Sequence, residues 1–240
     1  MHDFSKPKNI ITITNLTKKF GNREILSDIN LDIQKADSIA FTGRNGCGKS
    51  TLLKIIAGLM PFEKGEVIHK QSGYAARFVQ SIFQGHKKLK FGYVPERFPA
   101  MSLTAKDYIN HIGAISGLKK DEINTQSRRL FEALFMQDMI ETPIRFLSKG
   151  TIQKLAVVQA FLITPDVLLL DEPISGQDKD SQQAFMDMVN KLNREQGVTI
   201  LCSCHEDYMV NAIAKKVYTI TDRKLCEAEP AKEVSNENLA

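Results

Sequence analysis

The chain has 240 residues, 42% of them hydrophobic and 25% charged, with a mean hydropathy of −0.22. This is the ordinary balance of a globular protein and excludes disorder and fibrous repeats; at this length roughly 70–75% of the unfolded surface can be buried, enough for one large α/β domain with an inserted subdomain. The 32 basic residues outnumber the 28 acidic by a formal +4, too slight an excess to argue for nucleic acid.

The first residues, Met1-His2-Asp3-Phe4-Ser5-Lys6, are polar and lack the apolar stretch of a signal peptide, so the expected location is the cytoplasm. Residues 10–41 read as strands: Ile11 and Ile13 alternate with threonines, Leu31 and Ile33 keep the period of two, and Ile39-Ala40-Phe41 is a short apolar run. A glycine-rich turn follows, and then Leu52, Leu53, Ile55 and Ile56 at helical spacing until Gly58 ends the run. Residues 69–90, including His86-Lys87-Lys88-Leu89-Lys90, read as a solvated loop, with contact to anionic lipid headgroups or a partner as the other possibility.

The middle third changes period. Residues 102–117 and 119–139 carry apolar side chains every three or four positions and predict a helical insert, with Ser102 or Thr104 placed to cap the helix that contains Asp107. A further helix is expected over 150–162, with Leu155, Val158 and Leu162 on one side. From Val167 the pattern becomes strand (167–170), helix (181–192), strand (198–202), helix (207–214) and a short strand near 217–220, which is parallel α/β architecture. Residues 221–224 read as a turn and the polar stretch 227–240 as a frayed tail. No apolar run approaches the ~20 residues needed to cross a bilayer. The four cysteines read as reduced thiols, and Cys202, Cys204 and His205 match zinc spacings poorly.

Gly43-Arg44-Asn45-Gly46-Cys47-Gly48-Lys49-Ser50-Thr51 satisfies G-x-x-x-x-G-K-[ST] between an expected strand and an expected helix. Glycines let backbone N–H groups turn inward around phosphates, and the helix N-terminus adds its positive dipole end. Lys49 is placed to reach the β- and γ-phosphates and the Ser50 hydroxyl to bind Mg²⁺. The apolar strand 167–170 ends in Asp171-Glu172, at the edge where a parallel sheet exposes its ligands. Asp171 is placed to hold the Mg²⁺ shell, and Glu172 to orient or deprotonate an attacking water.

With Leu147-Ser148-Lys149-Gly150-Thr151 ahead of Asp171 and His205 after it, the sequence resembles the ATP-binding subunits of ABC transporters over about residues 10–224. The spacing of Ser148 and Gly150 from Asp171 matches the family's signature loop, His205 stands where the family keeps its switch histidine, and Ser175-Gly176-Gln177-Asp178 resembles the loop after the two acids. The resemblance implies a phosphate-loop NTPase of the ABC ATPase type: a mostly parallel sheet core with an antiparallel β part and an inserted helical subdomain. It implies a core of about 9–96 and 163–226 and a helical subdomain of about 97–162. It further implies Phe20 stacking on adenine, Glu96 in the position of a metal-facing glutamine, and ATP and Mg²⁺ as ligands. Two ATPase subunits, alike or different, would pair head to tail, with ATP between Gly43–Ser50 of one and Ser148, Lys149 and Gly150 of the other. Glu172, His205 and Lys49 would act in catalysis. The partner would be a membrane permease encoded as a separate chain, docked near residues 97–101, with this subunit peripheral on the inner face of the cell membrane and no nucleic acid involved.

Some residues depart from the usual pattern. Glu96 and Lys149 resemble the exporter branch that handles drugs, antibiotics, sodium or polysaccharide, whereas Gln177 and Cys204 replace a usual leucine and serine near the subunit interface. A phosphate-loop GTPase would need N-K-x-D, which Asn190-Lys191-Leu192-Asn193 does not complete. An ABC ATPase of translation or DNA repair would carry a second cassette, or a coiled-coil or zinc insertion. A non-hydrolysing binding module would lack Glu172 or His205.

Overall fold

The computed structural model describes residues 9–71, 74–77, 89–99, 101–174 and 176–228. Two sheets and a helical block account for nearly all of them. Strands β1 (Asn9–Phe20), β2 (Arg23–Gln34), β4 (Lys64–Gln71) and β5 (Tyr74–Arg77) form an antiparallel sheet in the order β2-β1-β4-β5. The second sheet runs β10-β9-β3-β8-β7-β6, using β3 (Ser38–Thr42), β6 (Phe91–Val94), β7 (Val167–Asp171), β8 (Thr199–Ser203), β9 (Lys216–Thr221) and β10 (Lys224–Ala228). It is parallel except for β10, which pairs antiparallel with β9.

The sequence pattern decides which strands lie at the centre. Every residue of β7 and β8 is buried, as continuous apolar runs require when both faces of a parallel strand are covered. Alternate side chains feed different cores. Leu168, Leu170, Ile200, Cys202 and Ala40 pack beneath the helices, while Val167, Leu169, Leu201, Ile39 and Phe41 pack toward the antiparallel sheet. On that second side lies α1 (Lys49–Ile56), whose Leu52, Leu53, Ile55 and Ile56 are fully buried. At roughly 1.5–3 kcal/mol for each such side chain, this packing anchors the turn that precedes the helix.

The helical block consists of α2 (Ala105–Ile115), α3 (Lys120–Ala133) and α4 (Lys149–Phe161). Thr104, not Ser102, caps α2: its hydroxyl accepts the Asp107 N–H and donates to the Asp107 carboxylate. Leu155, Val158 and Leu162 are buried, and Gln153, Ala156, Val157 and Ala160 of α4 are buried with them. The helix is enclosed between β6 and the helices α2 and α3. Helices α5 (Lys179–Gln196) and α6 (Asp207–Ile213) return the chain to the parallel sheet; α5 outruns the expected 181–192 at both ends, from the Asp178 cap to Gly197 in the left-handed region.

Two further expectations are corrected. Residues 69–71 and 74–77 are strands and not loop, β4 occupying the free edge of β1 with Val67 its buried apolar side chain; residues 72, 73 and 78–88 of that segment, with His86, Lys87 and Lys88, lie outside the described residues. Residues 227 and 228 belong to β10 and not to a tail. Asp222 and Arg223, both at positive φ, form a two-residue hairpin turn that sends this polar edge strand back along β9. Residues 229–240 lie outside the described residues, as do residues 1–6 and Ser175. No helix among the described residues is long and apolar enough to cross a membrane.

Candidate nucleotide site

The loop between β3 and α1 can close only with glycine at particular positions. Gly43 (φ 130) and Gly48 (φ 115) sit in the left-handed region, and a Cβ would come within 2.7 Å of the Ile220 carbonyl oxygen at Gly43 and 2.8 Å of Leu26 at Gly48. The loop is thus pressed between β2 and β9, and it delivers Lys49 into a buried position at the start of α1. Lys49 Nζ donates to the carbonyls of Gly43 (2.9 Å) and Arg44 (3.4 Å) and lies 3.1 Å from His205 Nε2. Those three contacts match its three protons.

Asp171 and Glu172 emerge from the end of β7, where Glu172 takes a positive φ of 50°. Asp171 is buried. Its Oδ1 accepts the hydroxyls of Ser50 (2.7 Å) and Ser203 (2.6 Å), and its Oδ2 accepts that of Tyr93 (3.1 Å). Glu172 Oε1 lies 3.0 Å from His205 Nε2 yet has no hydrogen-bond partner. The proton inventory explains this: when Nε2 accepts from Lys49, it has no proton to offer Glu172. Burial, followed by the charge of Lys49, pushes the His205 imidazole below its ordinary range. Burial pushes Glu172 up to about 7 against the pull of Lys49, with the charge of Asp171 adding to the rise. Near neutrality Glu172 is therefore poised to take up or release a proton, beside an imidazole whose own hold on a proton is weakened.

A cleft of about 720 Å³ opens over these groups. Asn45, Gly46, Gly48, Lys49, Ser50 and Thr51 form its floor, Glu172 and His205 one wall, and Phe20 and Glu96 the rim. Phe20 is half exposed, with Lys18 Nζ 5.1 Å from its ring centroid. Glu96 is exposed, 3.8 Å from Arg97. Gly43 and Arg44 contribute only their carbonyls to Lys49, and Cys47 lines a neighbouring hollow of about 420 Å³ beside Arg23 and Arg223.

Ser148, Lys149 and Gly150 are not brought to this cleft. They begin α4, with the exposed Ser148 accepting the Thr151 N–H as N-cap. Gly150 packs so closely that a Cβ would lie 2.4 Å from the Gly176 carbonyl oxygen, which ties the start of α4 to the loop after Glu172. In that loop Gln177 is buried and donates to the Pro173 carbonyl. Cys202 and Cys204 are buried thiols, Cys204 resting on Met209. The sequence reading missed Tyr93, Ser203, Ile25, Glu206 and Gln153, the last of which donates to the Pro95 carbonyl from inside the helical block. One local signal existed for Ser203, a hydroxyl two residues before His205 at a strand end.

A glycine loop closing on a helix that opens with Lys-Ser, beside a buried strand ending in two acids, defines the chain as a phosphate-loop nucleotide hydrolase. Comparison with known proteins narrows this. The ABC transporter family model matches residues 26–175, and the chain belongs to that family, as an ATP-binding subunit that hydrolyses ATP. It is similar to the zinc import ATP-binding protein ZnuC of Photorhabdus laumondii subsp. laumondii, 30% identical over 224 residues that span 92% of this chain and 78% of the relative. ZnuC of Yersinia pestis is 27% identical over 221 residues, spanning 92% and 79%. Among solved structures, the dimeric post-hydrolysis ATP-binding cassette MJ0796 bound to ADP and phosphate aligns with a TM-score of 0.78 at 22% identity, covering 91% of this chain and 98% of that one. A nucleotide-free ATP-binding cassette from an ABC transporter aligns at 0.75 and 19%, covering 95% and 94%. These two likenesses establish the fold.

Proposed function

We propose that this chain hydrolyses ATP as one of two paired subunits and so drives a separate membrane permease, from the inner face of the membrane. The observation that carries the reading is the convergence of Lys49, Ser50, His205 and Glu172 on one cleft, with Asp171 held directly behind Ser50, while Ser148, Lys149 and Gly150 point elsewhere. A site with its phosphate loop and its signature residues on separate surfaces is completed by a second copy, or a related subunit, placed head to tail. In this reading the core spans about 9–96 and 163–226 and the helical subdomain about 97–162.

The residues divide the work as follows. Phe20 offers a ring face to the base. Lys49 exchanges its backbone carbonyls and His205 for the β- and γ-phosphate oxygens, and the N–H groups of the 43–50 loop surround them. The unpartnered Glu172 Oε1 supplies the acceptor that an attacking water needs, and His205, released from Lys49, turns to the γ-phosphate. The donor set suits Mg²⁺, because Ser50 and Asp171 offer hard oxygens and no group of three or more His, Cys, Asp or Glu among the described residues forms a cage by itself. Ser50, Asp171 and Glu96 would hold this ion, whose charge offsets that building on the transferred phosphoryl group.

Export is the direction supported by Glu96 and Lys149. Import is the second reading, favoured by relatives named for zinc import. The docking surface in this reading is the segment of residues 97–99 and 101–103, a choice supported by Phe98, which stands edge-on to Tyr108 at 5.3 Å, and by the exposed Leu103. In cells, part of the protein should sediment with membranes and crosslink to a permease through this segment. Phe98→Asp should abolish sedimentation yet leave ATP turnover within a few-fold of the parent. Recovery with ribosomes or DNA instead, and with no membrane partner, overturns the reading in favour of a translation or repair role. Substrate flux in vesicles bearing the recovered complex decides the direction.

A further inference from the structure

The carboxylate of Asp171 is buried, and no ion pair reaches it among the described residues. A charge in that position is held by hydrogen bonds, and the three it accepts come from three different elements: Ser50 at the start of α1, Ser203 at the end of β8 and Tyr93 on β6. An ionised carboxylate offers about four lone-pair positions. The two serines fill both on Oδ1 and Tyr93 fills one on Oδ2, so a single position on Oδ2 stays open. Ser50 donates its proton and keeps its own lone pairs for a cation. Ser203, Tyr93 and Asp171 itself stand behind the residues that line the cleft, and only Asp171 is bonded to one of those, Ser50.

We propose that Tyr93 and Ser203 are positioning residues: together they lock the Asp171 carboxylate against Ser50, in the orientation in which the two would hold a divalent cation or its water. This rests on the reading that Asp171 faces Mg²⁺. Register supports it, because Ser203 is the direct partner of Asp171 in the β7–β8 ladder and Tyr93 is the partner of Leu169 in the β6–β7 ladder, so the sheet itself holds both hydroxyls beside the carboxylate. Tyr93 lies two residues before Pro95, whose carbonyl is held by Gln153 of α4. The orientation of Asp171 is therefore joined to the Glu96 loop and to the helical block.

The test uses the full chain with a non-hydrolysable ATP analogue and Mn²⁺ as the probe, following free Mn²⁺ by electron paramagnetic resonance. Tyr93→Phe and Ser203→Ala should each weaken Mn²⁺ binding by roughly 10-fold, the lower end of the effect of losing a group that orients a metal ligand. Affinity for the analogue in EDTA should be unchanged, and Ser203→Thr, which keeps the hydroxyl in a strand that favours β-branched residues, should bind Mn²⁺ as the parent does. Should Ser203→Ala fail to fold, Tyr93→Phe, which removes one oxygen from a half-buried ring, carries the measurement alone. Asp171→Asn separates the two levels of argument. If it weakens Mn²⁺ binding while Tyr93→Phe and every folded Ser203→Ala sample match the parent, the positioning role is wrong. If Asp171→Asn itself binds Mn²⁺ as the parent does, the metal reading of Asp171 falls and the proposal with it.

Discussion

Replacing Glu172 by Gln tests the proton inventory of the site. The Glu172 carboxyl is pushed from an ordinary 4.5 to about 7 in the folded chain. A carboxyl whose folded pKa lies above its unfolded value holds its proton longer in the native state, so stability is unaffected below about 4.5, falls as pH rises from there to about 7, and is constant above. The full shift corresponds to about 3 kcal/mol at 1.36 kcal/mol per pH unit. The side chain is 19% exposed, so solvent and Lys49 share the charge and about 1–2 kcal/mol is expected. Glutamine removes this cost. For a chain of this size 1 kcal/mol moves Tm by roughly 2–4 °C, so the Tm advantage of Glu172→Gln over the parent should grow by about 2–8 °C between pH 5 and pH 8. The assay is differential scanning calorimetry in EDTA without nucleotide. A difference independent of pH refutes the raised pKa, and a variant that loses ground between pH 5 and 7 shows that Glu172 and His205 are a true ion pair. With Mg-ATP, the same variant should hydrolyse ~10²–10⁴-fold more slowly and accumulate as a dimer in size-exclusion chromatography.

Lys49→Ala removes the one cation that joins Gly43, Arg44 and His205 and should abolish productive ATP binding with an unaltered circular dichroism spectrum; parent-level turnover would refute the phosphate-loop assignment. Gly150→Ala sets a Cβ 2.4 Å from the Gly176 carbonyl oxygen, where backbone must yield, and should cost about 1–3 kcal/mol. It should also lose the ATP-dependent dimer while the separate subunit still binds nucleotide, which gel filtration and a fluorescent ATP analogue read independently.

The residues legible in the sequence are those whose chemistry and position share a short stretch. Gly43, Gly48, Lys49 and Ser50 declare a phosphate loop because two backbone constraints and two side-chain types fall within eight residues. Asp171 and Glu172 stand out because they end a wholly apolar strand. Ser203 and Tyr93 could not be found this way, since their meaning depends on which strands are neighbours and in what register, and β6, β7 and β8 meet only after the helical insert has been looped out. Strands β4 and β10 were hidden for a different reason. Each lies toward the outside of its sheet and buries few apolar side chains, so backbone pairing holds them more than any pattern of hydrophobicity.

Gln153 shows what such long-range placement does. One turn into α4 its amide holds the Pro95 carbonyl beside Glu96, and at the start of the same helix Gly150 meets the backbone of Gly176 in the loop that follows Glu172. Lys154, the next residue, bonds to Asp178 at 3.3 Å, which ties the helix to the cap of α5 as well. A helix buried on nearly all sides moves as a rigid unit, so a displacement of α4 pulls on the Glu96 loop and on the 173–178 segment together. Glu96 and Glu172, which adjoin these two segments, both line the cleft. The helical block is therefore mechanically joined to the segments beside Glu96 and Glu172 through three contacts, one backbone-to-backbone, one amide-to-carbonyl and one ionic, and the lack of a Cβ at position 150 makes the first of them possible.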